Sequence, residues 1–392
     1  MNRVALVDHA GTGSGVGSFL RGLMAGLLEE APAAEWSFEV VLPERDYGGR
    51  PVEWPAELAA ANLAVRREGD VSGQSDGRRW IERALAGGGF DLAYFAYPYL
   101  AGCPDLGVPI VATAHDFNHK RFGTWSADLR ARVERDLAGW LRRSDVVVVS
   151  SRFIAAELAA YHAEAAPRCR VVRLGVPAAA EGRTADQGGP ALPRGFLLSV
   201  GWIAPHKNQA VILRALGLLR AEGLRVPLVL AGPNAGEVEP ASKVRTSYAW
   251  HLVRVAEALG LEAGRDYIPL GYVGRAELER LYGQAAALVM PTLYEAGSFP
   301  IREALRLGCP VIAADIPAHR EDLGLLGHAG RLFDPYAPAE LAAAIREVVE
   351  APRATRSEAE AAGARLPAVF DWRRTARGYL AAFRAALAAP AA

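Results

Sequence analysis

Short runs of apolar residues alternate along the chain with segments whose apolar residues recur at helical spacing. The first run covers residues 3–8 and leads through a glycine-rich loop at 11–17 into a helical stretch at 18–30. The runs are continuous in apolar character, which is typical of strands buried on both faces of a parallel sheet. Strand, glycine loop and helix in this order predict the start of a βαβ fold. Further strands are predicted at 38–42, 92–95, 108–113, 146–149 and 171–174.

A second set of such runs follows residues 178–195, a stretch without periodicity that predicts a linker. We therefore expect an α/β fold with a first doubly wound domain at 1–185, a second at 186–370 and a terminal helical segment at 371–392. A polar stretch at 351–363, to which no helix or strand is assigned, precedes the terminal helix. In doubly wound sheets, ligands bind outside the carboxyl ends of strands, so we expect a ligand cleft between the two halves. The second set predicts strands at 196–200, 227–231, 267–270, 287–291 and 310–313, and helices at 206–220, 242–259, 275–286, 298–307 and 338–350.

Composition narrows the classes of function. Lys plus Arg and Asp plus Glu both number 44 among 392 residues, so the formal net charge is zero and no binding of nucleic acid is expected. The cysteines Cys103, Cys169 and Cys309 are widely spaced and favour a reducing compartment over a disulfide framework. With no apolar core typical of a signal peptide near the start, we expect a cytoplasmic location. The arginine-rich helix at 126–143 is interpreted as a solvated face, with weak peripheral contact with a membrane as the alternative.

The segment after the predicted strand at 287–291 carries the strongest chemical signal. Glu295 lies before a predicted helix and Glu303 lies inside it, so two carboxylates stand eight positions apart around the helix start. With Gly297 and Ser298 there, the helix N-terminus offers unpaired backbone amides and the positive end of its dipole, which suit a phosphate. Carboxylates beside that phosphate would accept hydrogen bonds from sugar hydroxyls. An acidic turn that only stabilises its own helix fits the spacing equally well.

The run at 294–304 resembles the Glu-(seven residues)-Glu signature of retaining GT-B glycosyltransferases of family four (glycosyl transferases group 1), and it is mannosyltransferase-like. Three further segments resemble that family: a His-Asp loop at 112–116, a phosphate-binding loop at 199–208 and a base-binding segment at 270–273. The resemblance covers nearly the whole chain. It implies a GT-B fold, in which two Rossmann-like doubly wound domains face a central cleft and a terminal helix crosses back onto the first domain.

The resemblance also implies roles for residues of the second domain. Glu303 would hold the ribose hydroxyls of a nucleotide, and Glu295 would hold a hydroxyl of the donor sugar. Lys207 would neutralise the diphosphate, a role that its position after a strand also favours. The remaining residues implied at the donor-binding site are Gly201, Val273, Gly297, Ser298 and Phe299.

Further site residues are implied in the first domain. His115, in the His-Asp loop after a strand, would lie near the donor sugar and help to organise the transition state. His119, in the same loop, is a second candidate, for the acceptor site. The glycine loop, with Gly15 and Val16, would form a wall of the cleft near the donor phosphate and the acceptor.

Together these implications predict a retaining hexosyltransferase. The donor would be a nucleoside diphosphate sugar, with GDP-mannose as first choice and UDP- or dTDP-sugars next, and the acceptor a hydroxyl of a glycan, a glycolipid or a small molecule. No cofactor besides this donor substrate is expected, and because the chain contains no Asp-x-Asp pair, we expect no metal requirement. Trp202 stands where such enzymes often carry an arginine, and residues 296–299 replace their common Gly-Phe-Gly, so the sugar pocket is expected to differ.

The glycine loop also supports a different function. On its own, the loop at 11–17 followed by Glu44 after the second strand resembles a dinucleotide-binding fingerprint, which makes an NAD(P)-dependent oxidoreductase the alternative. That alternative predicts nucleotide binding in the first half of the chain, whereas the glutamate pair predicts it in the second half. A two-domain sugar-binding protein without catalysis is a third class.

Overall fold

The computed structural model describes residues 1–8, 15–45, 51–52, 54–55, 58–69, 77–123, 125–177, 192–328 and 330–389. The chain divides into two compact units, the first formed by Met1–Pro177 together with Phe370–Ala392 and the second by Ala178–Val369. Each unit combines one parallel sheet with helices. Among the helices that the structure describes, none has both the length and the apolar character needed to cross a lipid bilayer.

In the first unit, the described strands form one parallel sheet. The strands are β1 Asn2–Val7, β2 Trp36–Leu42, β3 Leu63–Arg67, β4 Leu92–Phe95, β5 Ile110–Thr113, β6 Val146–Val149 and β7 Cys169–Val171. The helices are α1 Gly15–Glu30, α2 Gly77–Leu85, α3 Asn118–Arg121, α4 Ala127–Arg143, α5 Arg152–Tyr161 and, from the end of the chain, α14 Trp372–Leu387. The sheet order is β3-β2-β1-β4-β5-β6-β7, so the strand order reverses between β1 and β4. Strands β4, β5 and β6 are buried at every position, as their continuous apolar runs predict.

The second unit repeats this arrangement with its own sheet. Its strands are β8 Leu197–Val200, β9 Leu228–Ala231, β10 Tyr267–Gly271, β11 Ala287–Met290, β12 Val311–Ala314 and β13 Arg331–Phe333. Its helices are α6 Gln209–Ala221, α7 Ser247–Ala258, α8 Arg275–Gln284, α9 Phe299–Arg306, α10 Pro317–Leu325, α11 Pro338–Glu350, α12 Pro352–Gly363 and α13 Leu366–Val369. The sheet order is β10-β9-β8-β11-β12-β13, and all described pairings are parallel.

The last helix, α14, completes the first unit by packing on α1 and the sheet. Trp372 at its start lies against α1 so closely that a β-carbon at Gly22 or Gly26 would overlap the tryptophan. The Trp372 indole donates a hydrogen bond to the Val176 carbonyl at 2.8 Å. Further along, the hydroxyl of Tyr379 lies 2.8 Å from that of Thr113, inside the core. Buried aromatic and small residues of α14 thus pack on β4, β5 and β6 of this sheet.

Several elements differ from the sequence prediction. The polar stretch at 351–363 forms helix α12, whose buried face carries Thr355 and small alanines rather than large apolar residues. Strands β3 and β13 are additional, and both lie at sheet edges where partial exposure removes the continuous apolar signal. Gly15 belongs to the first turn of α1 rather than to a loop, whereas Gly11 and Gly13 lie outside the described residues.

The contact between α1 and α14 predicts that a glycine substitution there destabilises the protein, whereas one in α4 stabilises it. Gly26→Ala should destabilise the protein by about 1–3 kcal/mol, because the new β-carbon meets the backbone carbonyl of Trp372. Gly139→Ala in α4 is the matched control: its β-carbon meets nothing within 4 Å, so the gain in helix propensity should stabilise by about 0.4–1 kcal/mol. Thermal and urea unfolding would measure both, and shifts of the same sign would contradict this packing.

Candidate functional site

Two loops meet at the carboxyl edge of the second sheet, where the strand order reverses between β8 and β11. The loop after β8 contains a short 3-10 turn, Pro205–Lys207. The carbonyl oxygen of His206 in this turn accepts a hydrogen bond from the Leu293 amide at 2.8 Å and another from the Thr292 hydroxyl at 3.1 Å. Because Thr292 and Leu293 belong to the loop after β11, these bonds join the two loops at the place where doubly wound sheets bind ligands.

The joined loops bring Lys207 and Glu295 together. The Lys207 ammonium lies 2.5 Å from Glu295 Oε1, and the two side chains are 21% and 17% exposed. Asn208 follows with a left-handed φ of 55°, which turns the chain into α6, and its Nδ2 donates to the carbonyls of Pro291 and Pro335. The resemblance implies that Lys207 contacts a diphosphate and Glu295 a sugar. In the structure these two residues form one ion pair that solvent can reach.

The neighbouring histidine carries no charge at neutral pH. Burial, followed by the positive charge of Lys207, lowers the pKa of His206 to about 4. The positive charge of this turn therefore comes from the Lys207 ammonium.

The loop of residues 297–299 ends in a capped helix start. Ser298 Oγ accepts a hydrogen bond from the Ile301 amide at 3.5 Å, which caps α9. The amide of Ser298 donates to Asp322 Oδ2 at 3.2 Å, so this amide is used within the protein and its implied phosphate-binding role stays a prediction. A β-carbon at Gly297 would lie 2.9 Å from a guanidinium nitrogen of Arg302, which favours glycine there. Phe299, the first helical residue, has its ring 6.0 Å from the same guanidinium.

A buried ion pair between Arg302 and Asp322 supports this helix start, and the sequence analysis missed it. Arg302 Nη2 lies 2.9 Å from Asp322 Oδ1, and Arg302 Nε lies 3.2 Å from Oδ2. The two residues are 1% and 3% exposed. The sequence does carry a signal for it: Arg302 stands between Ile301 and Glu303 on a helix that must bury one face. A guanidinium buried there requires a partner of opposite charge.

Glu303 is nearly buried and bound by two residues of α8. Arg275 Nη1 lies 2.5 Å from Glu303 Oε1, and the Tyr282 hydroxyl donates to Oε2 at 3.2 Å. Burial, together with the charge of Glu303, raises the pKa of Tyr282 well above its usual value, so this hydroxyl stays protonated as a donor. The partners of Glu303 were also missed, since nothing in the local pattern shows that α8 and α9 are neighbours.

Backbone packing at the same edge involves Gly201 and the segment at 270–273, which resembles the base-binding segment of the family. Gly201 has φ of 138°, and a β-carbon at Gly232 after β9 would overlap its carbonyl oxygen. The Gly232 amide in turn donates to the Gly271 carbonyl at 2.8 Å. Val273 follows as a half-buried residue before α8. The loops after β8, β9 and β10 therefore approach one another through glycine backbones, which side chains at these positions would keep apart.

His115 lies in the first unit, at the carboxyl ends of its strands. Its Nε2 lies 2.6 Å from the Ala96 carbonyl oxygen, and because a carbonyl only accepts, Nε2 carries the hydrogen. The ring also meets Phe19 of α1 edge-on, with centroids 5.2 Å apart. Burial lowers the pKa of His115 to about 4, so the imidazole is neutral at neutral pH.

The other candidates of the first unit lie on its helices. Gly15 and the half-buried Val16 form the start of α1. His119 is buried, with Nε2 2.9 Å from Glu134 Oε2, and Lys120 pairs with the other oxygen of the same carboxylate at 2.6 Å. These contacts explain His119 as a structural residue, and its acceptor role stays a prediction.

Two family descriptions match the chain, one in each half. Residues 184–365 match "Glycosyl transferases group 1", and residues 24–179 match "Glycosyltransferase Family 4". The chain is a glycosyltransferase of family four. This confirms the resemblance noted in the sequence and decides against the oxidoreductase alternative.

This glycosyltransferase is similar to proteins from several bacteria. It is 29% identical over 294 residues to the glycogen synthase of Mycobacterium tuberculosis, covering 74% of this chain and 67% of that protein. It is 34% identical over 143 residues to O-antigen chain mannosyltransferase B of Escherichia coli, covering 36% of this chain and 33% of the relative. The structure of Anabaena HepE in complex with UDP-glucose matches with a TM-score of 0.67 at 17% identity, over 98% of this chain and 100% of that chain. The likeness confirms the predicted GT-B fold of Rossmann-like domains.

The buried ion pair under α9 generates a prediction for stability. Asp322→Asn should destabilise the glycosyltransferase by about 3–5 kcal/mol, because it leaves the Arg302 guanidinium buried without its counter-charge. Asp315→Asn is the matched control, since Asp315 pairs with Arg320 on the surface and its loss should cost less than about 1 kcal/mol. Chemical denaturation would measure both. Equal losses would contradict the structural role assigned to the buried pair.

Proposed function

We propose that this glycosyltransferase moves a hexosyl unit from a nucleoside diphosphate sugar to an acceptor hydroxyl, with retention of configuration at the sugar. The observation that carries the proposal is the pairing of Lys207 with Glu295 beside the N-terminus of α9, with Glu303 one turn further along. In this order, the ammonium and the helix dipole are offered to a diphosphate. Each of the two sugars that flank the diphosphate is offered one carboxylate.

The leaving diphosphate requires counter-charge as its bond to the sugar breaks. The Lys207 ammonium sits on a flexible stem and can exchange Glu295 for a phosphate oxygen. That exchange would release the Glu295 carboxylate to accept a hydrogen bond from a donor-sugar hydroxyl. Trp202 is 56% exposed in the same loop and supplies no charge, so we assign the counter-charge to Lys207 and the dipole of α9.

We propose that the configuration is retained without an enzyme nucleophile, and the partners of the two glutamates support this. Glu303 is bound by Arg275 and Tyr282, and we assign Glu295, once Lys207 has turned to the diphosphate, to a hydroxyl of the donor sugar, so neither carboxylate is given the role of nucleophile. We therefore propose attack of the acceptor hydroxyl on the face that the diphosphate leaves. The sugar–phosphate bond breaks through an oxocarbenium-like transition state, a bond to the acceptor oxygen forms, and the departing phosphate takes the acceptor proton. We assign neutral His115 to the donor sugar, as the resemblance implies.

The donor is proposed from the sequence and the relatives together. The family likeness and the E. coli mannosyltransferase support GDP-mannose as first choice, whereas HepE was solved with UDP-glucose. For the acceptor we propose a hydroxyl of a glycan, a glycolipid or a small molecule.

A donor screen tests the proposed function. Thermal unfolding of the full chain would be recorded with GDP-mannose, UDP-glucose and a dTDP-sugar, with NAD as the control for the discarded alternative. A ligand at about one hundred times its dissociation constant stabilises by about 2.7 kcal/mol, which is a clear shift in Tm. A shift with a nucleotide sugar and none with NAD is expected. Stabilisation by NAD alone would overturn the proposal.

Replacement of Lys207 should act on turnover more than on donor binding. Lys207→Met is expected to lower kcat by about 100-fold or more, because the negative charge on the diphosphate grows as its bond to the sugar breaks and is larger in the transition state than in the bound donor. Lys243→Met, at an exposed lysine of the same unit, is the control and should leave kcat unchanged. Steady-state kinetics with the donor found in the screen would separate kcat from KM. An unchanged kcat with only a raised KM would show that Lys207 binds ground state and transition state alike.

The reaction should proceed without a divalent metal ion. Because Lys207 and the α9 dipole are assigned the charge of the diphosphate, activity is expected to be the same with EDTA as with added magnesium or manganese. Loss of activity in chelator and its recovery with either metal would contradict that assignment.

A further inference from the structure

Glu303 is surrounded by hydrogen-bond donors that come from one helix. Arg275, the first residue of α8, reaches Oε1 at 2.5 Å, and Tyr282, two turns later, reaches Oε2 at 3.2 Å. The side chain of Glu303 is 7% exposed, so it is nearly but not fully removed from solvent. Among the residues that the structure describes, each of the two oxygens has one side-chain donor, Arg275 for Oε1 and Tyr282 for Oε2.

Arg275 also lies beside a second carboxylate, that of Glu279. Its Nε lies 3.2 Å from Glu279 Oε1, and the same oxygen lies 2.7 Å from Arg306 Nη2 on α9. Charges of alternating sign thus run from Arg306 through Glu279 and Arg275 to Glu303. Arg275 thus has Glu303 at hydrogen-bond distance through Nη1 and Glu279 at ion-pair distance through Nε, and its planar guanidinium restrains the Glu303 carboxylate more than the flexible ammonium of a lysine would.

The remaining acceptor capacity of Glu303 defines what it can bind. A carboxylate has about four lone-pair sites, two on each oxygen, and one site on each oxygen is used by Arg275 or Tyr282. One site on each oxygen remains. Two neighbouring hydroxyl donors at the spacing of a vicinal diol would fill both, whereas a single hydroxyl would leave one site on a nearly buried anion without a donor.

We propose that Arg275 is a positioning residue that presents Glu303 as an acceptor for the ribose diol, and that the donor class is therefore ribonucleoside diphosphate sugars rather than 2′-deoxyribonucleoside ones. The proposal rests on the proposed function, in which Glu303 meets the ribose of the donor. The proposal therefore includes GDP- and UDP-sugars among the donors and excludes dTDP-sugars. A site built to satisfy a hydroxyl rejects the analogue that lacks it more strongly than an apolar pocket rejects a size change.

The test is a comparison of ribose with deoxyribose ligands by calorimetric titration. The full chain would be titrated with UDP, GDP and their 2′-deoxy forms, and the ratio of the deoxy to the ribo dissociation constant is the readout. In the wild-type protein we expect a ratio of about tenfold or more, in line with one hydrogen bond to a charged group. In Arg275→Met the ratio should fall by at least about threefold, because the carboxylate is no longer held in place.

Arg280→Met is the matched control for this variant. Arg280 lies on the same helix, is equally exposed at 33%, and pairs with Glu277 and Gln284. In Arg280→Met the ratio of the deoxy to the ribo dissociation constant should stay at the wild-type value. Tyr282→Phe is the second variant, which keeps the buried ring and removes only the hydroxyl, and its ratio should also fall.

The outcomes separate this proposal from the proposed function. Binding of UDP or GDP with a ratio near one in the wild-type protein would overturn the diol proposal and leave the nucleotide function standing. A purely structural role of Arg275 would weaken both ligands by the same factor and leave the ratio unchanged, which would also overturn it. Absence of binding for all four ligands would overturn both proposals.

Discussion

The carbonyl oxygen of His206 joins the two loops of the second unit that form the proposed donor site. It accepts hydrogen bonds from the amide of Leu293 and the hydroxyl of Thr292, while His206 itself belongs to the turn after β8. The strand order reverses at β8 and β11, and at such a reversal the loops diverge and leave a crevice. The Asn208 side chain adds a further bond between the same loops, to the Pro291 carbonyl. These hydrogen bonds keep Lys207 and Glu295, the charges on which the proposed chemistry depends, close to each other.

The two glutamates of the family signature differ in how tightly they are held. Glu295 is reachable and paired with an ammonium on a mobile stem, which is suited to exchanging partners during a reaction. Glu303 lies between a planar guanidinium and a buried tyrosine hydroxyl, which is suited to recognising one fixed arrangement of hydroxyls. In this glycosyltransferase the carboxylate nearer the proposed reaction centre is thus the adaptable one, and the carboxylate assigned to the nucleotide is the rigid one.

The sequence predicted those features that depend on local pattern or on sheet topology. Strands such as β6 were predicted because burial on both faces leaves an unbroken apolar run, and the edge strands β3 and β13 were missed because partial exposure interrupts it. Lys207 and Glu295 are 88 positions apart, yet their meeting could be expected because loops after neighbouring strands share one edge. The partners of Glu303 and Arg302 could not, because they depend on which helices lie side by side. No periodicity within a single helix encodes that choice.

The position of α14 has a consequence for the order in which the protein folds during synthesis. This helix supplies buried aromatic residues, Tyr379 and Phe383, that pack against Tyr94 in the first unit. The ribosome produces α14 only after the whole of the second unit. Contacts between the ends of so long a stretch are among the slowest to form, since loop closure must precede them. The second unit can fold as soon as its own chain has emerged, whereas the unit begun first keeps an open apolar face and is completed after it.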